Sequence, residues 1–289
     1  MQPELKKRLA QLGNQSIQGL FGEQVKSNAA EYALLQNEGM NVFLKLIHDF
    51  YGKPLNTEED RMMAEGADVF CQLIIAVYRE TKKEDEDVAA SFVNSFIEDF
   101  PNAPNSCLYP QWEALAKATM AFKSAPATQN PLIVWQQSLK LVQAYNEFLN
   151  VLIGYFLVAW RCALGKSYSI NTFSNAYGAK INEFSQLTGG HDGAFNIIFQ
   201  VANHSLRNAI AHEDIWLDSG TNTVKYTAGK RPKTTHEIGI GEFFGYAMMG
   251  ANFGQAYIVA IAALIVLEDG SLEDKKRLPA HLVKVFTHV

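Results

Sequence analysis

A run of 25 residues without a single charge, residues 243–267, limits what this chain can fold into more than any other feature. A helix of that length could cross a lipid bilayer. However, Asn252, Gln255 and several glycines dilute its apolar character, and a helix buried on all sides of a bundle has the same composition. We therefore expect a core helix, in which Gly250 and Gly254 allow a neighbouring helix to approach closely.

The rest of the chain is dominated by apolar residues at helical spacing, which predicts an all-α fold, a bundle of about ten helices. Thr57, followed by three acidic residues, is typical of a helix N-terminus. Residues 215–226 are the exception, because they alternate in polarity around a polar turn. The expected fold class is therefore a multi-helix bundle with a short β-hairpin inserted after a helix over residues 192–212.

A short polar segment with two prolines, residues 124–131, is the best candidate for a linker. It divides the chain into an N-terminal helical region, residues 1–125, to which the sequence assigns no function, and a helical bundle, residues 130–289. Sequence alone leaves open whether the first region is a separate domain or wraps the second. The shortness of the linker favours close packing.

Composition narrows the class of protein. Hydrophobic residues make up 48% and charged residues 19% of the chain, which is typical of a folded globular protein. The net charge of −5 argues against a generally basic nucleic-acid-binding surface, so that any contact with RNA must be local. The three cysteines are far apart and form no CxxC pair, which favours a reducing compartment and argues against a structural zinc site. The N-terminus lacks the apolar core of a signal peptide, and we expect a cytoplasmic protein.

The most informative polar cluster lies in residues 203–213, at the end of a predicted core helix. Arg207, Asn208 and His212 have no obvious role on a buried face, whereas a phosphate site needs such groups. Arginine binds a phosphate in a fork, and histidine exchanges a proton near neutral pH. Arg207 and His212 are separated by about 140° around a helix. They could therefore converge at a helix end or across a dimer, but not as simple neighbours.

This pattern resembles the signature of the HEPN superfamily, which is an arginine, a polar residue that is often asparagine, three further residues and a histidine. The resemblance covers roughly residues 130–268. It implies a small α-helical bundle, usually a homodimer. Many members are metal-independent endoribonucleases of toxin, phage-defence and RNA-processing systems. Others have lost catalysis and act as binding modules.

The resemblance also implies a role for each residue of the motif. His212 would transfer protons, Arg207 would stabilise the charge that grows on the phosphate oxygens, and Asn208 would orient the histidine or the phosphate. In a symmetric dimer, two His212 side chains could serve as base and acid, and neither a metal nor a cofactor is implied. Some HEPN toxins carry a tyrosine two residues after the histidine, which a partner enzyme modifies. This chain has Asp214 there, so that form of regulation is not supported.

Other polar residues near the motif are candidates for supporting roles. Asn203 and His204 precede Arg207 and could position the motif residues without contacting a ligand themselves. A histidine in such a place is more often a core or interface residue. Glu147 and Glu183 lie on the preceding predicted helices, and either carboxylate could pair with Arg207. The sequence does not decide between them.

The predicted hairpin and its exit contain a basic cluster with no acidic residue between positions 218 and 237. Its members that we expect to bind RNA phosphates are Lys225, Lys230, Arg231 and Lys233. Such binding would weaken with salt. The basic cluster is equally well explained as a solvent-exposed loop on an acidic protein, without a role in binding RNA.

Three functional hypotheses remain. The first is a metal-independent HEPN endoribonuclease, a toxin or phage-defence effector that is homodimeric and is controlled by an antitoxin or another regulatory protein, with no membrane partner. The second is a non-catalytic HEPN-like module that binds a nucleotide, RNA or a protein. The third is a helical scaffold in which the motif occurs by chance.

Overall fold

The computed structural model describes residues 3–9, 40–229 and 233–287. Within these ranges the protein is mostly helical, with a small antiparallel sheet, and residues 3–9 are also helical. The longer α-helices are α1 (Asn41–Tyr51), α2 (Glu58–Glu84), α3 (Glu86–Asn94), α4 (Tyr109–Ser124), α5 (Pro131–Ala163) and α6 (Tyr177–Thr188). They are followed by α7 (Asn196–Val201), α8 (His204–Ala211), β1 (Ile215–Asp218), β2 (Thr223–Ala228), β3 (Thr234–Gly239), α9 (Ile240–Asp269), α10 (Leu272–Lys276) and α11 (Ala280–Thr287).

Helix α9 occupies the centre of the protein. It packs against α1, α2, α4 and α5, and its side chains from Phe253 to Leu267 are all buried. Phe253 stacks on Phe70 of α2, with the ring centroids 4.2 Å apart. The uncharged run of the sequence thus forms a helix that is buried inside the protein.

Two glycines let neighbouring side chains reach the backbone of α9. A β-carbon built at Gly250 would lie 2.2 Å from Cδ1 of Tyr145 on α5, and one built at Gly254 would lie 2.6 Å from Cδ2 of Leu115 on α4. The indole nitrogen of Trp112 also donates to the carbonyl oxygen of Gly254 at 2.9 Å. The close approach expected at these glycines is therefore made by side chains of two different helices.

Two helices in the described ranges, α5 and α9, are long and apolar enough to cross a membrane. In the most apolar 18-residue stretch of each helix, 72% of α5 and 94% of α9 is buried inside the protein. Core helices of globular proteins have this length and composition when other elements cover them on most sides. Most of the apolar surface of both helices is covered by other parts of this chain.

The helices on either side of the predicted linker share one hydrophobic core. Side chains of α2, α3 and α4 pack with those of α5 and α9 in a continuous cluster. A 3₁₀ turn, Ala125–Thr128, follows α4 directly, and Asn130 then caps α5 by accepting the backbone N–H of Leu132 at 3.0 Å.

The prediction of a single hairpin after the motif is wrong, because the sheet has three strands. In the antiparallel order β1-β2-β3, Trp216 pairs with Lys225 and Val224 pairs with Ile238. Strand β3 was missed because its side chains are mostly exposed, so it lacks the alternation of buried and exposed residues that marks a strand. It leads straight into α9, which begins at the next residue.

The prediction of one helix over residues 192–212 is also wrong. The segment contains a 3₁₀ turn, Gly190–Asp192, followed by α7 and α8 as separate helices. Ala202 and Asn203 leave the helical conformation between them, with ψ angles of 101° and 89°. The motif therefore lies on a helix of eight residues with a beginning of its own.

Candidate functional site

The start of helix α8 is fixed by two asparagines. The side-chain oxygen of Asn203 accepts the backbone N–H of Leu206 at 2.9 Å, which caps the helix. The backbone N–H of Asn203 donates to Oδ1 of Asn146 on α5 at 3.2 Å. Asn146 is fully buried, and the same oxygen accepts the hydroxyl of Tyr177 on α6 at 3.0 Å. Asn203 thus positions the helix that carries the motif.

Arg207 is held by one carboxylate and one amide. Its Nε lies 2.7 Å and its Nη2 2.5 Å from Oε1 of Glu147, and its Nη1 donates to Oδ1 of Asn208 at 2.9 Å. Glu183, the other candidate partner, pairs instead with Arg161. A guanidinium has five N–H groups. These contacts use one N–H on each nitrogen, so that two N–H groups have no partner among the described residues and could bind an anion.

His212 caps the C-terminal end of α8 and its side chain is exposed. Its backbone N–H donates to the carbonyl oxygen of Asn208 at 3.0 Å. No described residue in 3–9, 40–229 or 233–287 forms a hydrogen bond or ion pair with its imidazole. The imidazole is therefore accessible to a ligand and is not used to hold the fold.

The backbone turns sharply after His212. Glu213 has a left-handed conformation with φ of 57°, and its N–H donates to the carbonyl oxygen of Ile210 at 3.2 Å. The N–H of Asp214 donates to the carbonyl oxygen of Ala209 at 2.8 Å. These two bonds form a Schellman motif, in which glycine is the usual residue at the left-handed position.

Glu213→Gly is expected to stabilise the protein by about 1 kcal/mol, because it removes the steric cost of a β-carbon in the left-handed region. The measurement is the midpoint of urea unfolding. Glu213→Ala removes the same charge but keeps the β-carbon, so its midpoint should stay close to that of the wild type. An unchanged or lower midpoint for the glycine variant would contradict the expectation.

His204 packs against α6. A β-carbon built at Gly178 would lie 3.0 Å from Cδ2 of the imidazole, and Nε2 lies 3.5 Å from the hydroxyl oxygen of Ser205. The ring therefore fills the contact between α6 and α8. Together with Asn203, it fixes the position of α8.

The two described lysines of the predicted basic cluster, Lys225 and Lys233, are each paired with an acid. Nζ of Lys225 lies 2.7 Å from Oδ2 of Asp218, a hydrogen bond that lowers the pKa of Asp218 and raises the pKa of Lys225. Lys233 forms an ion pair with Asp214. The other two members of the predicted cluster, Lys230 and Arg231, lie outside the described residues. The ion pair with Lys233 thus connects Asp214, just after α8, to the segment that leads into β3.

The structure brings the side chains of Arg207 and Asn208 into direct contact, but in the described part of the chain neither side chain forms a hydrogen bond with the imidazole of His212. Three further polar residues lie near these side chains, and the sequence makes no prediction for them. They are Asn146, Tyr177 and Lys180. All three are buried. An asparagine next to Glu147, within the apolar sequence of α5, is the signal that could have identified Asn146.

A cleft of about 730 Å³ lies away from the motif, between α1, α2, α4, α9 and α11. On its wall, Oδ1 of Asp68 lies 2.6 Å from the hydroxyl of Tyr51 and 2.9 Å from Nε2 of His281. The side-chain amide of Gln72 donates to the other oxygen of Asp68 at 2.7 Å. These contacts join α1, α2 and α11.

Comparisons with protein-family models, with curated proteins and with solved structures find no match to this chain. Among the residues that the structure describes, no group of three or more histidine, cysteine, aspartate or glutamate side chains is arranged to hold a metal ion.

Proposed function

We propose that this protein is a metal-independent endoribonuclease of the HEPN type, with its site at Arg207, Asn208 and His212. The observation that carries the proposal is the state of His212. Its imidazole is exposed at the end of α8 and has no partner in the described ranges, five residues from an arginine that has two N–H groups to spare. A histidine with a structural role would be buried or hydrogen-bonded.

The proposed reaction is a transesterification. The 2′-oxygen of one nucleotide forms a bond to the adjacent phosphorus, the bond from phosphorus to the 5′-oxygen breaks, and a 2′,3′-cyclic phosphate remains. His212 takes the proton of the 2′-hydroxyl as general base. Arg207 stabilises the negative charge that grows on the non-bridging oxygens. Glu147 holds the guanidinium in a fixed orientation, which avoids a cost of reorganisation during the reaction.

The reaction also needs an acid for the leaving 5′-oxygen. One chain supplies one His212, so we propose a homodimer in which His212 of a second copy donates that proton. The 140° or so between Arg207 and His212 around a helix agrees with this arrangement, because residues on different faces meet more readily across an interface than within one helix. RNA is the proposed substrate, an antitoxin or other regulatory protein is a proposed partner, and the cytoplasm is the proposed location.

The experiment is cleavage of an end-labelled structured RNA in EDTA, with wild type and His212→Ala compared at equal purity. Wild type should leave 2′,3′-cyclic phosphate ends, and the variant should be slower by at least about 100-fold, since it loses its proton-transfer group. His48→Ala is the matched control, because His48 is also an exposed histidine in the last turn of a helix, α1. It should cut like wild type. Equal cleavage by wild type and His212→Ala would overturn the assignment.

The second candidate function is a non-catalytic helical module that binds RNA, a nucleotide or a protein. The observation in its favour is that Arg207, Lys225 and Lys233 each already have a carboxylate partner. This candidate predicts retention of labelled RNA without new ends, and a weaker affinity in the Arg207→Ala variant. Absence of cleavage by wild type on several RNAs, together with such binding, would select it.

A further inference from the structure

A lysine is buried between α5 and α6, and no carboxylate in the described part of the chain pairs with it. Lys180 is only 2% exposed, and its ammonium donates to the backbone carbonyl oxygen of Asn150 at 3.0 Å. Residues 3–9, 40–229 and 233–287 provide no ion pair for it. Lysine is almost never fully buried unless it is paired. The environment of this ammonium therefore calls for an explanation beyond folding.

The carboxylate of Glu147, which acts electrostatically on Lys180, is already engaged in an ion pair. Glu147 raises the pKa of Lys180, but its carboxylate is bonded to Arg207. Burial has the larger and opposite effect and lowers the pKa of Lys180 to about 8. The side chain is thus mostly protonated at neutral pH, and a negative group beside it would stabilise that charge.

The residue that accepts from Lys180 also has an unsatisfied polar group of its own. The side-chain oxygen of Asn150 is buried and accepts no hydrogen bond from the described part of the protein. Such an atom costs about 1–3 kcal/mol when it stays unpaired. The residue that holds the Lys180 ammonium through its backbone therefore has an unused acceptor of its own.

Lys180 also lines a cavity of about 410 Å³. This size lies within the range of pockets for small molecules, about 300–1,000 Å³. The other polar side chains of its wall come from two loops and are Asn102, Asn105, Ser106, Asn171 and Ser174. The cavity thus combines one buried cation with several neutral hydrogen-bonding groups.

The wall of this cavity is held in place by packing and by backbone hydrogen bonds. Phe173 lies against Gly154 of α5, and its ring centroid is 5.3 Å from that of Phe100 and 4.9 Å from that of Tyr155. The carboxylate of Asp99 accepts the backbone N–H groups of Asn105 and Cys107 at 3.1 and 2.7 Å. Both loops are therefore fixed before a ligand arrives.

We propose that this cavity binds a small polar anion, a carboxylate or a phosphate with further hydroxyl or amide groups, whose negative group pairs with the buried ammonium of Lys180. A positive charge without a carboxylate partner selects an anion, and the asparagine and serine side chains select a polar body over an apolar one. The site does not require that RNA be cut at α8, so it stands independently of the proposed ribonuclease activity.

Isothermal titration of the full-length protein with malonate and with inorganic phosphate tests the proposal. At least one of these anions should bind wild type with a Kd below about 1 mM, and the one that binds identifies the negative group. Lys180→Met should weaken that binding at least tenfold. Lys166→Met is the matched control, since it removes an exposed lysine close to α5, and it should bind like wild type. Absence of binding by both anions, or equal binding by Lys180→Met, would overturn the proposal.

A second readout does not depend on the methionine variant. Wild type with ¹³C-labelled lysine can be titrated by NMR, and the Lys180 resonance can be assigned through Lys180→Arg. The anion that binds should raise the pKa of Lys180 above its value of about 8, because the bound charge stabilises the ammonium. An unchanged titration curve at saturating anion would contradict the inferred contact.

Discussion

Arg207→Ala is expected to slow RNA cleavage by about 100- to 1,000-fold, the effect of removing one charged donor from a developing phosphate charge. Arg161→Ala is expected to leave cleavage unchanged. The two arginines form closely similar ion pairs, each with a glutamate at 2.5–2.8 Å through Nη2. The exposed fraction of the side chain is 30% for Arg207 and 34% for Glu147. It is 30% for both Arg161 and Glu183. The comparison therefore separates the chemistry of Arg207 from the loss of a salt bridge.

Both arginine variants should remain folded, since a partly exposed ion pair contributes only about 0–1 kcal/mol. The measurements are the single-turnover rate of RNA cleavage and the midpoint of urea unfolding for each variant. Equal loss of activity in both would mean that cleavage depends on the integrity of the helices and not on Arg207. Full activity in Arg207→Ala would remove the motif from the mechanism.

Gly250→Ala is expected to destabilise the protein by about 3 kcal/mol, which is near the upper end of the usual cost of overpacking a core. The new β-carbon would lie 2.2 Å from the ring of Tyr145, which is completely buried. That ring cannot move away cheaply, because its hydroxyl donates to the carbonyl oxygen of Val201 at 3.3 Å. Tyr145 must therefore shift together with the end of α7.

Gly245→Ala is the matched control for this substitution. It lies on the same helix, but a β-carbon there would meet nothing within 4 Å. It should stabilise the protein by up to about 1 kcal/mol, because alanine favours the helical conformation over glycine. Urea unfolding of both variants gives the two free energies of unfolding. A similar small effect at both positions would contradict the close contact between α9 and Tyr145.

The sequence predicts those elements whose signals are local. Helix α2 begins where the acidic residues after Thr57 indicate, since the Thr57 hydroxyl accepts the N–H of Asp60 and the Asp60 carboxylate accepts the N–H of Thr57. The uncharged run similarly identifies α9, because a long apolar segment must be buried. In both cases the information lies within one stretch of chain.

The remaining features depend on contacts between distant residues. The break before α8 is set by Asn203, which bonds to an asparagine 57 positions earlier, and its capping role competes with the helical pattern around it. The partner of Arg207 lies 60 positions away, and nothing in the spacing distinguishes Glu147 from Glu183. Strand β3 forms through pairing with β2 and not through burial of its own side chains.

The two hydrogen bonds accepted by Asn146 have a consequence for movement. A carbonyl oxygen has two lone pairs, and here one receives a donor from α6 while the other receives a donor from the residue that begins α8. Tilting α6 or lifting α8 away from α5 would break a hydrogen bond at this same buried atom. The motif helix α8 and α6, the helix that carries Lys180, are therefore held in position by the same buried oxygen of α5.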